Sequence, residues 1–239
     1  MFTYTHFIWI AISVLIILTL LFLTKRLNVS HKNVLTIMCI ISALSEITKI
    51  SLNMVDGVSG GKVLSPGSLP FHLCSIQIFF IFGLRFFIKN ENVKKVLYNF
   101  MVPTSLIGAS MSLLIPTVGT SFLNVQVYQY FIYHAFLIFY GIYLIREHLA
   151  ELSLKVLFVN YGLLLMFVLF DLWVNSFLSF WGANFMYLTR PPMENLPILN
   201  LNHGWYVYII NLLTVGTVLM VMFHLPFIII NCKKKPRKN

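Results

Sequence analysis

A cysteine and a histidine in two different apolar segments are the residues of this sequence best suited to covalent chemistry. Cys74 begins one such segment and His134 lies within another. A histidine that removes the proton of a thiol makes the sulfur a nucleophile, which can form an acyl-thioester with the carbonyl carbon of an ester. The alternatives are structural: a buried cysteine packs as a small apolar residue, and an intramembrane histidine often bonds to another helix. Cys39 and Cys232 lie outside the predicted outer layer in which the polar groups of the spans meet.

The composition indicates where this chemistry would take place. The chain has 239 residues, of which 59% are apolar and only 10% are charged, and its mean hydropathy is +0.85. A soluble globular chain has about 45–50% apolar and about 25% charged residues. These values exclude a soluble enzyme and a small secreted module, and they indicate a membrane protein that crosses the bilayer several times.

Seven apolar segments are long enough for membrane helices, each of which needs roughly 20 residues. The sequence therefore predicts an all-α fold, a bundle of seven transmembrane helices that forms a single domain over residues 1–239. A basic cytoplasmic tail is expected at 231–239. The predicted spans are 7–24, 34–54, 71–89, 96–115, 127–145, 155–178 and 205–230.

The distribution of basic residues predicts the orientation. Of 17 Lys and Arg residues, 14 lie in the connections after the first, third and fifth spans and in the tail, whereas only Lys62 and Arg190 lie in the opposite loops. Cytoplasmic loops carry the excess of Lys and Arg, so we expect an external N-terminus and a cytoplasmic C-terminus. The net charge of +10 then predicts that the tail binds anionic lipid; no nucleic-acid partner is expected.

Polar side chains of five spans fall at one depth in this topology, in the half nearer the outer leaflet. Ionisable groups inside a bilayer are costly and usually functional. We therefore predict one cavity, open toward the outer leaflet and surrounded by side chains from these spans or their edges. The residues expected there are Glu46, His72, Cys74, His134, Asp171 and His203.

Two pairs of polar residues leave a structural and a functional interpretation open. Glu46 and Lys49 are three residues apart and can form an ion pair on one helix face. The pair would either fix the packing of helices or bind a lipid headgroup. Asp171 and Asn175 are four residues apart on one face, and they would either bond to another helix or orient a catalytic histidine.

The neighbours of Cys74 are constrained by helix geometry. Gln77 shares its face, but on a regular helix His72 points roughly 200° away. His72 can therefore act as its base only if the helix is unwound just after Pro70. Small residues at helical spacing in the fourth span indicate close helix packing, and we assign no chemistry to them: Ser105, Gly108 and Ser112.

Two motifs resemble those of the YwaF-like family of bacterial integral membrane proteins. They are Leu-Pro-Phe-His-Leu-Cys at 69–74 and the segment 182–192, which begins Gly-Ala-Asn-Phe-Met-Tyr-Leu and ends in Pro-Pro. That family is similar to the eukaryotic transmembrane protein 164, a phospholipid acyltransferase, whose function is attributed to a membrane-embedded cysteine and a histidine about sixty residues later. Cys74 and His134 match these positions. The resemblance implies a multi-pass protein of the bacterial plasma membrane that acts on phospholipids or lysophospholipids without a cofactor.

In the mechanism that this resemblance implies, His134 is the base and Cys74 is the nucleophile. Gln77 and Asn184 are then candidates to stabilise the oxyanion. The remaining polar residues would bind substrate or support the site: Glu46, Lys49, His72, Asp171, Asn175 and His203.

Two other functions remain open. His72, His134, His203 and Asp171 offer ligands for the metal of a lipid hydrolase, although no HxxxH or HExxH spacing is present. Alternatively, the chain is a transporter or lipid-binding protein without covalent chemistry.

Overall fold

The computed structural model describes residues 2–57, 61–193 and 196–234, and the fold is a bundle of helices. A short hairpin follows the second helix, with β1 (Val55–Asp56) antiparallel to β2 (Lys62–Val63). The α-helices are α1 (Tyr4–Arg26), α2 (His31–Leu52), α3 (Gln77–Phe82), α4 (Glu91–Pro103), α5 (Ala109–Leu114), α6 (Val125–Arg146), α7 (Leu154–Leu178) and α8 (Trp205–Lys234).

Among the described residues, six helices are long and apolar enough to cross a membrane. One of them, Glu91–Leu114, consists of α4 and α5 joined by a π-type turn at Thr104–Gly108. This turn follows Pro103, which has no amide hydrogen for the helical ladder. The protein is therefore a multi-pass membrane protein, as the composition predicted.

The predicted third span differs from the structure. Helix α3 and the π-type turn Gly83–Phe87 that continues it form an apolar helix of only Gln77–Phe87. At 1.5 Å per residue this helix is about 16 Å long, roughly half of a 30 Å hydrocarbon core. The prediction of a regular helix over 71–89 is thus wrong for its first six residues, which form turns, and for Ile88 and Lys89, which follow the helix.

Backbone hydrogen bonds explain this break. Pro70 cannot donate to a helical ladder, and the amide of Ile78 donates to the carbonyl of Ser75 (3.1 Å) rather than to that of Cys74. The Cys74 carbonyl instead accepts a hydrogen bond from the Tyr133 hydroxyl (2.9 Å). A polar backbone group inside a membrane protein needs such a partner, so α6 stabilises the irregular segment.

Helix α6 lies at the centre of the bundle, and α1, α2, α4 and α5 pack around it. Its buried face includes Phe131 and Tyr140. A Cβ atom at Gly141 would come within 2.9 Å of Leu106 and 3.4 Å of Ser105, so this glycine permits the close approach of two helices. The exposed faces of α1, α7 and α8 carry large apolar side chains, which suits contact with lipid.

Basic side chains gather at one end of the bundle. They bond across to other elements near that end, and the contacts are Arg85 to Thr36 (2.8 Å), Arg146 to the Leu21 carbonyl (2.7 Å) and Lys95 to Glu151 (2.8 Å). At the opposite end, Thr5 bonds to Thr120 (2.9 Å). Of the predicted tail 231–239, residues 231–234 continue α8 and the rest lie outside the described residues.

Candidate functional site

A cavity of about 770 Å³ opens among the last turns of α2, the segment 65–75, α5, the first half of α6 and the loop before α8. It is lined by Cys74, by two imidazoles, His72 and His134, and by the charged side chains of Glu46 and Lys49. The cavity lies at the end of the bundle opposite to the basic side chains. The tertiary structure thus brings together five polar groups from three separate parts of the sequence.

The thiol of Cys74 faces α5. Its Sγ lies 4.0 Å from the Ser112 hydroxyl, which itself donates to the Gly108 carbonyl (3.0 Å). A Cβ atom at Gly108 would lie 3.7 Å from the sulfur. The two small residues therefore make room for the thiol, and the prediction that they serve only helix packing missed this contact. No hydrogen bond joins Sγ to His134 in the described part of the chain.

His134 is held in one tautomer by its own helix. Its Nδ1 lies 2.7 Å from the Tyr130 carbonyl, and because a carbonyl only accepts, Nδ1 carries the proton. Nε2 is therefore left as an acceptor, which is the state that a general base requires. The hydroxyl of Tyr130 donates to the Ser112 carbonyl (3.0 Å), so this tyrosine joins the helix of the imidazole to the helix that contacts the thiol.

The predicted ion pair is present beside the irregular segment. Lys49 Nζ lies 2.7 Å from Glu46 Oε1, with side chains 18% and 15% exposed. The same ammonium donates to the Ser75 hydroxyl (3.2 Å), directly after Cys74 in the chain. Nearby, Gln129 donates to Ser45 (2.7 Å). A cation and an anion thus lie in one wall of the cavity, close to the thiol.

His72 is the second imidazole of the cavity. Its ring centroid lies 5.5 Å from that of Phe185 and 5.5 Å from that of Tyr187. Because residues 71–76 form turns, the 200° separation from Cys74 expected for a regular helix does not apply. The aromatic contacts fix this ring against the loop before α8.

The loop that covers the cavity has a strained backbone. Met186 and Tyr187 have φ angles of 50° and 58°, in the left-handed region that costs side-chain-bearing residues about 1–3 kcal/mol each. Asn175 secures the loop by accepting from the Phe185 amide (2.9 Å) and donating to its carbonyl (3.0 Å). The Tyr208 hydroxyl donates to the Tyr187 carbonyl. Burial raises the pKa of Tyr187, so its phenol stays protonated at neutral pH.

The two predicted oxyanion donors do not line the cavity. Asn184 accepts from the amide of Thr189 (3.0 Å) and donates to the carbonyl of Arg190 (2.8 Å), which closes its own loop. Gln77 is fully buried and donates to Thr104 (2.7 Å). The Asn184 amide thus serves its own loop, whereas the Gln77 side chain bonds through its nitrogen and its buried Oε1 has no hydrogen-bond partner among the described residues.

Asp171 and His203 also lie away from the cavity. Asp171 is 1% exposed on α7, and His203 is exposed just before α8. Four of the six residues expected around one cavity therefore line it. Within residues 2–57, 61–193 and 196–234, no group of three or more His, Cys, Asp or Glu side chains is placed to hold a metal. The four ligands of the metal-hydrolase hypothesis do not converge.

Hydroxyl groups are the members of the site that the sequence did not reveal. In apolar segments they look like ordinary helix or belt residues, and only the spacing of Tyr130, Tyr133 and His134 on one face of α6 could have indicated them. The missed residues are Ser75, Ser112, Tyr130, Tyr133 and Tyr187.

The chain has no significant match among curated proteins or among solved structures. Residues 1–224 match the model of the TMEM164 family, and this range includes every residue that lines the cavity. The YwaF-like name is not part of this match. Because the match extends over nearly the whole chain, this membrane protein belongs to the TMEM164 family.

Proposed function

We propose that this protein is a phospholipid acyltransferase that carries the acyl group on Cys74. The observation that supports it most is the position of the thiol in a break of the helical backbone, in a cavity that His134 also lines. Irregular backbone at membrane depth is tolerated where it is buried in protein or lines a cavity, and it is common at the binding sites of membrane proteins.

In the first step, Nε2 of His134 takes the thiol proton, and the sulfur attacks the carbonyl carbon of a glycerophospholipid ester. The bond from that carbon to the glycerol oxygen breaks, and the oxygen takes the proton from the imidazolium. A lysophospholipid leaves, and the acyl group remains as a thioester on Cys74. We expect substrate binding to bring the two side chains into contact, because catalytic hydrogen bonds often tighten in the substrate complex.

In the second step, the hydroxyl group of another lysophospholipid attacks the thioester. His134 takes the proton of this hydroxyl, the carbon–sulfur bond breaks, and the proton returns to the sulfur. A new ester is formed and the free thiol is restored. The proposed mechanism requires no cofactor.

The negative oxygen of each tetrahedral intermediate needs a hydrogen-bond donor. Ser75 supports this role better than Gln77 or Asn184, because its hydroxyl lines the cavity next to Cys74. It accepts a hydrogen bond from Lys49, so its own proton is available for the substrate. The ammonium of Lys49 adds positive charge at the same place.

The proposed orientation places the cavity in the extracytoplasmic leaflet. It rests on the basic side chains at the opposite end of the bundle, which the distribution of charge in membrane proteins assigns to the cytoplasm. The N-terminus is then external and the C-terminus cytoplasmic. The turns at 71–76 and the helix Gln77–Phe87 together make the third of seven crossings, and a phospholipid of the outer leaflet reaches the thiol sideways.

Intact-protein mass spectrometry tests the covalent step. Purified protein is incubated with a phospholipid whose acyl chain is isotopically labelled, and its mass is measured before and after treatment with hydroxylamine, which cleaves thioesters. We expect one labelled acyl group that hydroxylamine removes. Cys74→Ala should lose it, whereas Cys39→Ala should retain it, since Cys39 is buried away from the cavity.

Two results would contradict the proposed acyl transfer through Cys74. An acyl group that persists in Cys74→Ala contradicts the proposal. A phospholipid that binds without ever acylating the protein, in an assay where no lipid product forms, favours a lipid-binding or transport function instead.

A further inference from the structure

A second, smaller cavity of about 170 Å³, which we call the cleft, lies beside the first, between the π-type turn Thr104–Gly108, α7 and α8. Its walls are almost entirely apolar. The hydroxyl groups in them have partners: Thr104 donates to the Phe100 carbonyl (2.8 Å), and Thr217 lies 3.0 Å from the Tyr161 oxygen. The cleft therefore offers nothing to a polar ligand and suits a hydrocarbon.

The two cavities meet beside the thiol. Four residues line both of them: Leu73, Gly108, Met186 and Leu212. Cys74 itself lines only the larger cavity, but a Cβ atom at Gly108 would lie 3.7 Å from its sulfur, so the junction adjoins the sulfur. An ester whose carbonyl carbon reaches this sulfur has the polar cavity on one side and the apolar cleft on the other.

The cleft runs from the thiol toward the basic end of the bundle. Along α8 its lining extends from Leu212 to Met220, which corresponds to about 12 Å of helix rise. One leaflet of a 30 Å hydrocarbon core is about 15 Å thick. The cleft thus has a length and direction that match one acyl chain of a lipid whose headgroup lies at the cavity.

We propose that this cleft receives the acyl chain of the phospholipid that is transferred, and that Gly216 determines how long a chain it accepts. This inference rests on the proposed function for the identity of the lipid. Gly216 lines the cleft about midway between Leu212 and Met220, and a Cβ atom there would meet nothing within 4 Å. The missing side chain leaves space that a larger residue would fill.

A matched control lies on the neighbouring helix. Gly162 of α7 also has open space at its Cβ position, but it is exposed and does not line the cleft. Gly216→Leu and Gly162→Leu therefore make the same chemical change within a helix, with the same gain in helix propensity. Only the first places a side chain in the proposed path of the chain.

Photocrosslinking tests the proposal without requiring catalysis. The full-length Cys74→Ala protein is reconstituted with phosphatidylcholine that carries a diazirine either near the carbonyl or near the end of one acyl chain. Labelled peptides are then identified by mass spectrometry. We expect the proximal probe to label the region of Leu73, Gly108 and Met186, and the terminal probe to label Tyr161 and Met220.

In Gly216→Leu, labelling at Tyr161 and Met220 should fall about tenfold or more, since overfilling an apolar pocket discriminates by such factors. Proximal labelling should persist, and Gly162→Leu should match the parent. Equal terminal labelling in both glycine variants, or terminal labels only on lipid-facing residues, overturns the inference. Photocrosslinking does not require the thiol. If the cleft is labelled but the protein that retains Cys74 transfers no acyl group, the proposed function is contradicted and the inference about the cleft stands.

Discussion

The hydroxyl group of Tyr133 donates a 2.9 Å hydrogen bond to the backbone carbonyl of Cys74. The tyrosine precedes His134 on α6, so a single helix both holds the turn that carries the thiol and presents the imidazole. This bond replaces the helical one that the Cys74 carbonyl would otherwise accept. The geometry of the proposed pair therefore depends on how α6 sits against the segment 71–76.

Replacing Tyr133 with Phe should slow acyl transfer without unfolding the protein. The change removes one hydrogen bond, whose net value of about 0.5–1.5 kcal/mol corresponds to a rate loss of about two- to tenfold if it acts only through position. The measurement is kcat and KM for acyl transfer, and kcat should account for the loss. Tyr140→Phe is the control: it lies on the same helix and is fully buried, and its hydroxyl has no hydrogen-bond partner in the described structure. Equal activities of the two variants would contradict a positioning role for Tyr133.

His134→Ala should leave a low residual rate. Loss of a general base typically reduces a rate by about 10²–10⁴-fold, whereas Cys74→Ala removes the covalent route altogether. Cys74→Ser should be nearly as inactive as Cys74→Ala, because a hydroxyl is a weak nucleophile without strong activation. Single-turnover rates of thioester formation distinguish these cases, and a His134→Ala protein that acylates at the normal rate would exclude this base.

The ion pair of Glu46 and Lys49 can be tested for a structural and a substrate-binding role together. Removing one partner of a fully buried pair costs about 3–5 kcal/mol, and replacing both partners is often close to neutral. This pair is only partly buried, with side chains 18% and 15% exposed, so a smaller loss is expected here. We therefore expect Lys49→Met to lower the melting temperature and Glu46→Gln/Lys49→Met to recover most of it. If the pair binds the headgroup, the double variant should be stable yet have a raised KM. Full activity of the stable double variant would show that the pair serves packing alone.

Asn175→Leu should displace the loop that covers the cavity. The change leaves the buried amide of Phe185 without a partner, at about 1–3 kcal/mol, whereas the carbonyl keeps the amide of Leu188 as its donor (3.2 Å). We expect a lower melting temperature and faster proteolysis within 182–192, together with reduced acyl transfer. Ser176→Ala is the control, because that side chain is exposed and bonds only within its own helix. An unchanged cleavage pattern in Asn175→Leu would contradict this anchoring role.

The topology can be checked with reporter tags that are active on only one side of a membrane. Tags fused at residue 1 and inserted in the loop 179–204 should report the external side, and a tag after residue 239 should report the cytoplasm. The distribution of Lys and Arg is the physical reason. A cytoplasmic loop 179–204 would contradict both the orientation and the proposed outer-leaflet site.

The sequence by itself determined the membrane character of the fold and several local features. Hydropathy is a property of consecutive residues, so six long apolar helices could be predicted from it. The ion pair of Glu46 and Lys49 could also be predicted, because residues three apart face each other on any helix. Cys74 and His134 were predicted as a reactive pair from their residue types and their predicted depth, and both line one cavity.

Only the tertiary structure decided how these groups face one another. The predicted third helix is broken at 71–76. There the Cys74 carbonyl accepts a hydrogen bond from the Tyr133 hydroxyl, 59 residues later in the chain, instead of from a helical amide. Asn175, Asn184 and Gln77 bond to loop or helix neighbours, and Asp171 and His203 lie outside the cavity. The rotation of a helix about its axis, and contacts between residues distant in the chain, depend on packing. No local pattern of residue types encodes them.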